Sequence, residues 1–340
     1  MRRMPDARGP ITELVFERWQ GTPGSPRPPV PASETSAALV DEDLQLALYC
    51  CYELHYGGLP GVDERWEWDP WLLELRASLE ADFERALLAE LGAPSDSAAP
   101  EEMDLALRAI AEADDGPSLS RHVEHHADLD QIIEFVVHRS AYQLKEADPH
   151  SWALPRLSGP PKAALVEIQA DEYGGGRPER IHATMFARSM EALGLDSSPG
   201  AYLDAIPAIT LATVNLMSML GLHRRWRGAI VGHLALFEMT SSIPNRRYAA
   251  GLRRLGFDEG ATAFFDEHVT ADAVHENIAA VDLAGGLVRQ DPALGSTILW
   301  GARALSALDG MWARHLLESW ELGRSSLRAP VAELALQRFP

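Results

Sequence analysis

Apolar residues recur at three- and four-residue spacing along most of the chain, and no stretch of useful length alternates as a strand would, so the pattern predicts an all-α protein. The segment SAALVDEDLQLALYCCYELHYGGLPG reads as a helix opening on a Ser cap at Ser36 and closing at Gly57-Gly58 and Pro60. DPWLLELRASLEADFERALLAELG is a second amphipathic helix with Gly92 as its stop, and EEMDLALRAIAEA a third. Ile132, Ile133, Val136 and Val137 mark the buried side of a fourth, which ends near Glu146 ahead of Pro149. Pro160-Pro161 opens another helix, interrupted by Gly174-Gly175-Gly176, and Pro178 suits the first turn of its successor. AYLDAIPAITLATVNLMSMLGLH is a long apolar helix; after it come AIVGHLALFEMT, the basic RRYAAGLRRLGF, DEHVTADAVHEN, and a last long helix, STILWGARALSALDGMWARHLLESWELG. Residues 1–35, rich in Pro and Gly and without periodicity, read as an irregular arm. Residues 36–125 read as auxiliary helices, and 126–330 as a helical core forming one compact domain with them.

Composition narrows the class. Of 340 residues, 46% are hydrophobic and 24% charged, a balance that supports a packed core. No apolar run reaches the roughly 18 residues a membrane span needs. MRRMPDARGP has basic residues but no apolar stretch behind it, unlike a secretory signal. Adjacent Cys50 and Cys51 are poorly placed for a disulfide, which suits a reduced cytoplasm. A formal net charge of −20 disfavours nucleic acid and anionic membrane as partners.

Candidate chemistry concentrates in three places. In DEHVTADAVHEN, helical spacing stacks His268, Asp272 and His275 on one face, and two imidazoles with a carboxylate make a poor core stripe but good metal ligands. Oxygen and imidazole donors suit iron or manganese. Glu238 sits in an apolar run where an unpaired carboxylate is costly, so it is expected to pair with an Arg or bind a cation. The triple glycine lacks the preceding strand and the lysine of a phosphate loop; it reads better as a helix break that lets Glu172 and His182 approach one site. Glu179 and His182, three apart, share a face with Met185. Other candidates read as structural: Glu53 and His55 fall on different helix faces, and His122, His125 and His126 form a solvated cluster. Helical bundles assemble dinuclear carboxylate sites from facing helices in this manner.

These residues resemble the haem-oxygenase-like di-iron oxidases and oxygenases, a family of iron-containing redox enzymes. The likeness rests on H-x-x-x-D-x-x-H at His268, Asp272 and His275, on E-x-x-H at Glu179 and His182, and on Glu238 about thirty residues before the final motif. DEYGGGRPERIH is similar to the N-oxygenating branch, in which Glu172 and Glu179 compete for one ligand role. The resemblance covers roughly residues 130–320. It implies a haem-oxygenase-like helical bundle with extra N-terminal helices, two iron ions, dioxygen as co-substrate and a small amine-containing or amino-acid-derived substrate. It also implies a possible external electron donor and a homodimer, for which WEWDPW could supply a contact or equally form an internal hairpin. Glu146, Tyr173, Met185, Met239 and Phe264 are the expected pocket or supporting residues. Two other readings stay open at this point. One is decarboxylation of a longer acid, with Arg246 or Arg247 as its cation; the other is a non-catalytic metal-binding helical protein.

Overall fold

The computed structural model describes residues 3–25, 28–29 and 37–330, apart from the side chains of Asp272 and Ala273. Among these residues the order is α1 (Pro10–Trp19), α2 (Glu42–Glu53), α3 (Pro70–Leu91), α4 (Met103–Glu112), α5 (Leu119–His125), α6 (Leu129–Gln143) and α7 (Asp148–Ser151). It continues with α8 (Gly159–Glu172), α9 (His182–Ala192), α10 (Ala208–Leu222), α11 (Arg227–Arg254), α12 (Glu259–Asn277), α13 (Gly286–Gln290) and α14 (Gly295–Glu321). No strand occurs among the described residues, and a π-helical stretch, Ile278–Gly285, joins α12 to α13.

α11 is the central rod, packing against α5, α12 and α14. Its crossing with α14 is close because glycines meet backbone. A Cβ on Gly232 would lie 1.8 Å from the Ile298 carbonyl oxygen, and one on Gly301 2.0 Å from that of Ala229. α11 also runs unbroken through Pro244, joining two segments that read separately in sequence. A proline there removes one ladder hydrogen bond, which the packing on both flanks offsets.

Within the N-terminal segment, Pro10–Trp19 is helical, which its composition does not suggest. α1 places Thr12, Val15 and Trp19 inward at helical spacing, and the Asp43 carboxylate accepts hydrogen bonds from the backbone N–H groups of Ile11 and Thr12. That borrowed acid satisfies orphan donors at the helix start. α2 begins at Glu42, because Asp41 accepts from the N–H groups of Asp43 and Leu44; the expected Ser36 cap lies outside the described residues. α2 packs on α10, where Asn215 Nδ2 donates to the Gln45 backbone carbonyl at 2.9 Å. One apolar core extends from Val15 to Leu327. Trp66 and Trp71 are buried in it, whereas Trp68 faces outward. None of the described helices is long and apolar enough to cross a membrane.

Candidate metal centre

The centre is built around a helix end. Glu172 closes α8, and Gly174, Gly175 and Gly176 follow with φ of 69°, 59° and 79°. Such left-handed backbone is readily available only to glycine. At Gly174 the space is also missing, since a Cβ would lie 2.6 Å from the Arg180 carbonyl carbon. The tight reversal delivers a short 3₁₀ turn, Pro178–Arg180, and α9 then starts at His182. Glu172 Oε2 and His182 Nδ1 thereby come within 2.9 Å.

Three further elements converge there. Glu146 sits just beyond the end of α6, held by a turn in which Ala147 takes φ 73°. A non-glycine residue in this region is uncommon and costs of order 1 kcal/mol or more; the Ala147 carbonyl accepts from Gln169 Nε2 at 2.9 Å, fixing the turn. α11 contributes Glu238, and α12 contributes His268 and His275. The buried donors form two groups, each with its ligand atoms within 4.8 Å of one another: Glu146, Glu172, His182 and His268, and Glu172, Glu238 and His275. Glu172 belongs to both. His268 and His275 are about 10 Å apart along a helix axis, at 1.5 Å per residue, which is why they fall in different groups.

Each imidazole of α12 is oriented by a second partner. His268 Nδ1–H donates to the Phe264 carbonyl at 2.8 Å, which leaves Nε2 to face Glu146 Oε1 at 3.5 Å. His275 places Nε2 3.1 Å from Asp171 Oδ2 and Nδ1 3.3 Å from Glu238 Oε2. This is the carboxylate–histidine arrangement that fixes metal-ligating rings. Burial pushes His275 down, but the Glu238 and Asp171 carboxylates outweigh it and hold the ring at about 9. Burial, reinforced by neighbouring Glu238, raises Glu172 to about 7. Burial also raises Glu146, and it lowers His182 to about 4. Carboxylates crowded in a dry site resist ionising together, and a cation among them removes that penalty.

The expected residues fall unevenly. The structure brings Glu172, His182, Glu238, His268 and His275 together. The side chain of Asp272 lies outside the described residues. Glu179 is exposed on the 3₁₀ turn and outside both groups; E-x-x-H spacing aligns two side chains only on one continuous helix, and here the helix begins at the His. Glu146, expected in a supporting role, is among the donors. Asp171 was missed in sequence, where nothing separates it from any surface acid.

A cavity of about 370 Å³ opens against Glu146 and His268 and runs outward between α6, α11 and α14. Tyr173, Met185, Met239 and Phe264 are not among its walls. Tyr173 donates to Asp148 Oδ1 at 2.7 Å, Met185 borders a separate outer groove, Met239 packs against the core, and Phe264 supports the His268 ring at 4.3 Å between centroids. Arg246 is exposed, and Arg247 reaches Ser120 and Glu124. The cation facing the cavity is instead Arg139.

Fold and donor set together define a class, and the chain belongs to the iron-containing redox enzyme family, which matches residues 133–310. In particular, it is similar to the nitrosourea synthase of Streptomyces achromogenes subsp. streptozoticus, with 30% identity over 147 residues, 43% of this chain. The match spans 31% of that relative's length.

The donors fit iron. All are carboxylate oxygens and imidazole nitrogens, a set suited to iron or manganese, and the two thiols, Cys50 and Cys51, are buried in α2. Glu146 Oε2 is buried with no hydrogen-bond partner among the described residues. His182 Nδ1, although 2.9 Å from a carboxylate oxygen, makes no aligned hydrogen bond to it. Buried polar atoms left unsatisfied within one donor group are what a bound cation would satisfy.

Proposed function

We propose that the protein is a dinuclear non-haem iron oxygenase or oxidase that uses dioxygen to oxidise a small nitrogen-containing metabolite. The observation that carries this reading is the membership of Glu172 in both donor groups, because one carboxylate can bridge two ions about 3.5–4 Å apart. Glu146, His182 and His268 complete one position, and Glu238 and His275 the other. Asp272, one turn before His275 in sequence, is the natural addition to the second. When bound, the ferrous pair supplies electrons and open coordination positions for dioxygen.

The protein's own work is positional. The Phe264 carbonyl and Asp171 hold the two α12 imidazoles in fixed tautomers. Phe186, Leu236 and Phe237 give the inner cavity apolar walls beside Glu146 and His268, which lowers the local dielectric and strengthens electrostatic contacts there. The likeness to a nitrosourea synthase favours oxidation at nitrogen, and reducing equivalents would come from an external donor. The test is to load metal-free protein anaerobically with ferrous iron, count the metal, and mix with oxygen while recording absorbance. About two irons per chain and a transient visible band are expected; failure to bind iron, or one inert ion, would end the proposal.

A further inference from the structure

The turn that carries Glu146 is held from two sides, and one of them lies outside the region that matches the family. Ala147 takes φ 73°, a conformation that persists only where its surroundings over-determine it. On the α8 side, Gln169 Nε2 donates to the Ala147 carbonyl at 2.9 Å and to Ser151 Oγ at 2.6 Å, and Tyr173 donates to Asp148. On the other side, Glu53 at the end of α2 forms an ion pair with Lys145, the residue immediately before Glu146; the two side chains are only 9% and 11% exposed. The Lys145 ammonium also faces two rings, 4.5 Å from the centre of Tyr49 and 4.7 Å from that of Tyr56. Both rings are fixed in turn, since the Tyr49 hydroxyl donates to the Ala141 carbonyl at 3.4 Å and the Tyr56 hydroxyl shares a hydrogen bond with Ser218 Oγ at 3.0 Å. A buried ion pair adds little stability over apolar side chains of the same volume, and its best-attested use is to fix register. Glu53, Tyr49 and Tyr56 all precede residues 133–310.

We propose that Glu53, Tyr49 and Tyr56 form a clamp on Lys145 that sets the position of Glu146, so that the N-terminal helices shape the metal centre without supplying a donor to it. Lys145 and Glu146 are consecutive, yet one side chain reaches α2 and the other joins Glu172, His182 and His268. The backbone between them has little slack: the Lys145 N–H donates to the Tyr142 carbonyl at 2.8 Å, and the Asp148 N–H donates to the Lys145 carbonyl at 3.2 Å. A shift of Lys145 is therefore passed to Glu146, and a donor about 1 Å out of place is enough to weaken a site. Glu53, Tyr49 and Tyr56 are positioning residues in this scheme. Their loss should fall on the iron position that includes Glu146 and spare the one built from Glu238 and His275. That selectivity rests on the dinuclear reading of the donors; the clamp itself does not.

Two measurements on the full chain test the proposal, in Glu53→Gln, in Lys145→Met and in the double variant. Hydrogen–deuterium exchange of the metal-free protein, read by mass spectrometry, reports the turn directly. The peptide spanning residues 143–151 should exchange faster in all three variants, while peptides from α12 and α14 keep wild-type rates. Anaerobic titration with ferrous iron against a competing chelator should then show one iron weakened by roughly tenfold or more and the other unchanged. The double variant separates positioning from mere charge burial. It leaves no buried charge unpaired, so its melting temperature should recover relative to the single variants, yet its turn should still exchange fast and its iron binding should stay weak. It also keeps the test decisive if a single variant folds poorly. Wild-type exchange at 143–151 in the double variant, or equal loosening throughout the chain, overturns the clamp. A loosened turn with both irons bound at wild-type strength overturns its link to Glu146. Wild type that takes up no iron would refute the dinuclear reading, and the exchange rates would still decide whether α2 holds the turn.

Discussion

Glu172 is the residue shared by both donor groups, and on the proposed dinuclear reading that gives it a distinct expected phenotype. Glu172→Ala should abolish stoichiometric iron uptake, whereas Glu238→Ala, which alters one donor group, should leave about one iron per chain. Equal losses in the two variants, measured by metal analysis after desalting, would argue against a bridging role. Asp171 supports a finer prediction: removing the carboxylate that orients His275 should weaken binding at one position by roughly 10–100-fold, so Asp171→Ala should make the ferrous titration biphasic. Legibility in sequence also differed by residue. Glu238, His268 and His275 stood out because charge or imidazole interrupts an apolar or helical context. Glu146 could not be found that way, since its position depends on a turn in which Ala147 adopts left-handed backbone. Glu179 lies outside both groups because α9 begins only at His182, so the E-x-x-H spacing does not align the two side chains on one helix.

Among the elements, the glycine reversal between α8 and α9 is the most exposed to test. Gly174→Ala introduces a Cβ into a 2.6 Å gap at positive φ. The cost should be of order 2–4 kcal/mol, and the reversal should no longer bring Glu172 to His182. Differential scanning fluorimetry should show a lower melting temperature, with iron affinity reduced in the same variant. A variant with unaltered melting and iron binding would contradict the role given to the turn. Periodicity made most helices legible, along with the break at the glycines. It did not reveal α1, whose inward face is short and whose start is capped by Asp43 from another helix. Nor did it reveal the π-helical stretch after α12, because apolar spacing in IAAVDLAG does not distinguish π from α winding.

For the whole molecule, pH acts through two opposed sets of buried groups. Burial lowers His138, His150 and His233, with His150 at about 3. Unfolding lets them take up protons, so their contribution is complete above about 6.5 and is lost as pH falls through the folded values. Glu172 and His275 are raised, to about 7 and about 9. Their contribution is complete below the ordinary values and is lost as pH rises through the folded ones. The metal-free protein should therefore lose stability toward both extremes, and a bound cation should relieve only the alkaline side. The melting-temperature gain from a divalent metal should be larger at pH 8 than at pH 5, and the reverse order would contradict this assignment of charges. We also propose that residues 36–125 fold with the remainder as one unit, because α2 and α10 share buried hydrogen bonds and a continuous core. A chain starting at residue 126 should then be aggregated or unfolded by circular dichroism and gel filtration, while a well-folded fragment would separate the two.

The glycine crossing of α11 and α14 has a consequence for how ligands are discriminated. Backbone pressed on backbone has no side chain to repack, so the separation of the two helices at their crossing is fixed. About one turn further on, both helices wall the cavity, Leu236 and Phe237 from one and Leu305 and Ser306 from the other, so the gauge of its inner end is set by backbone rather than by side chains free to adjust. A ligand too broad for that inner end would be refused rather than accommodated. Widening it would take a side chain at Gly232 or Gly301, each of which meets the backbone of the facing helix directly.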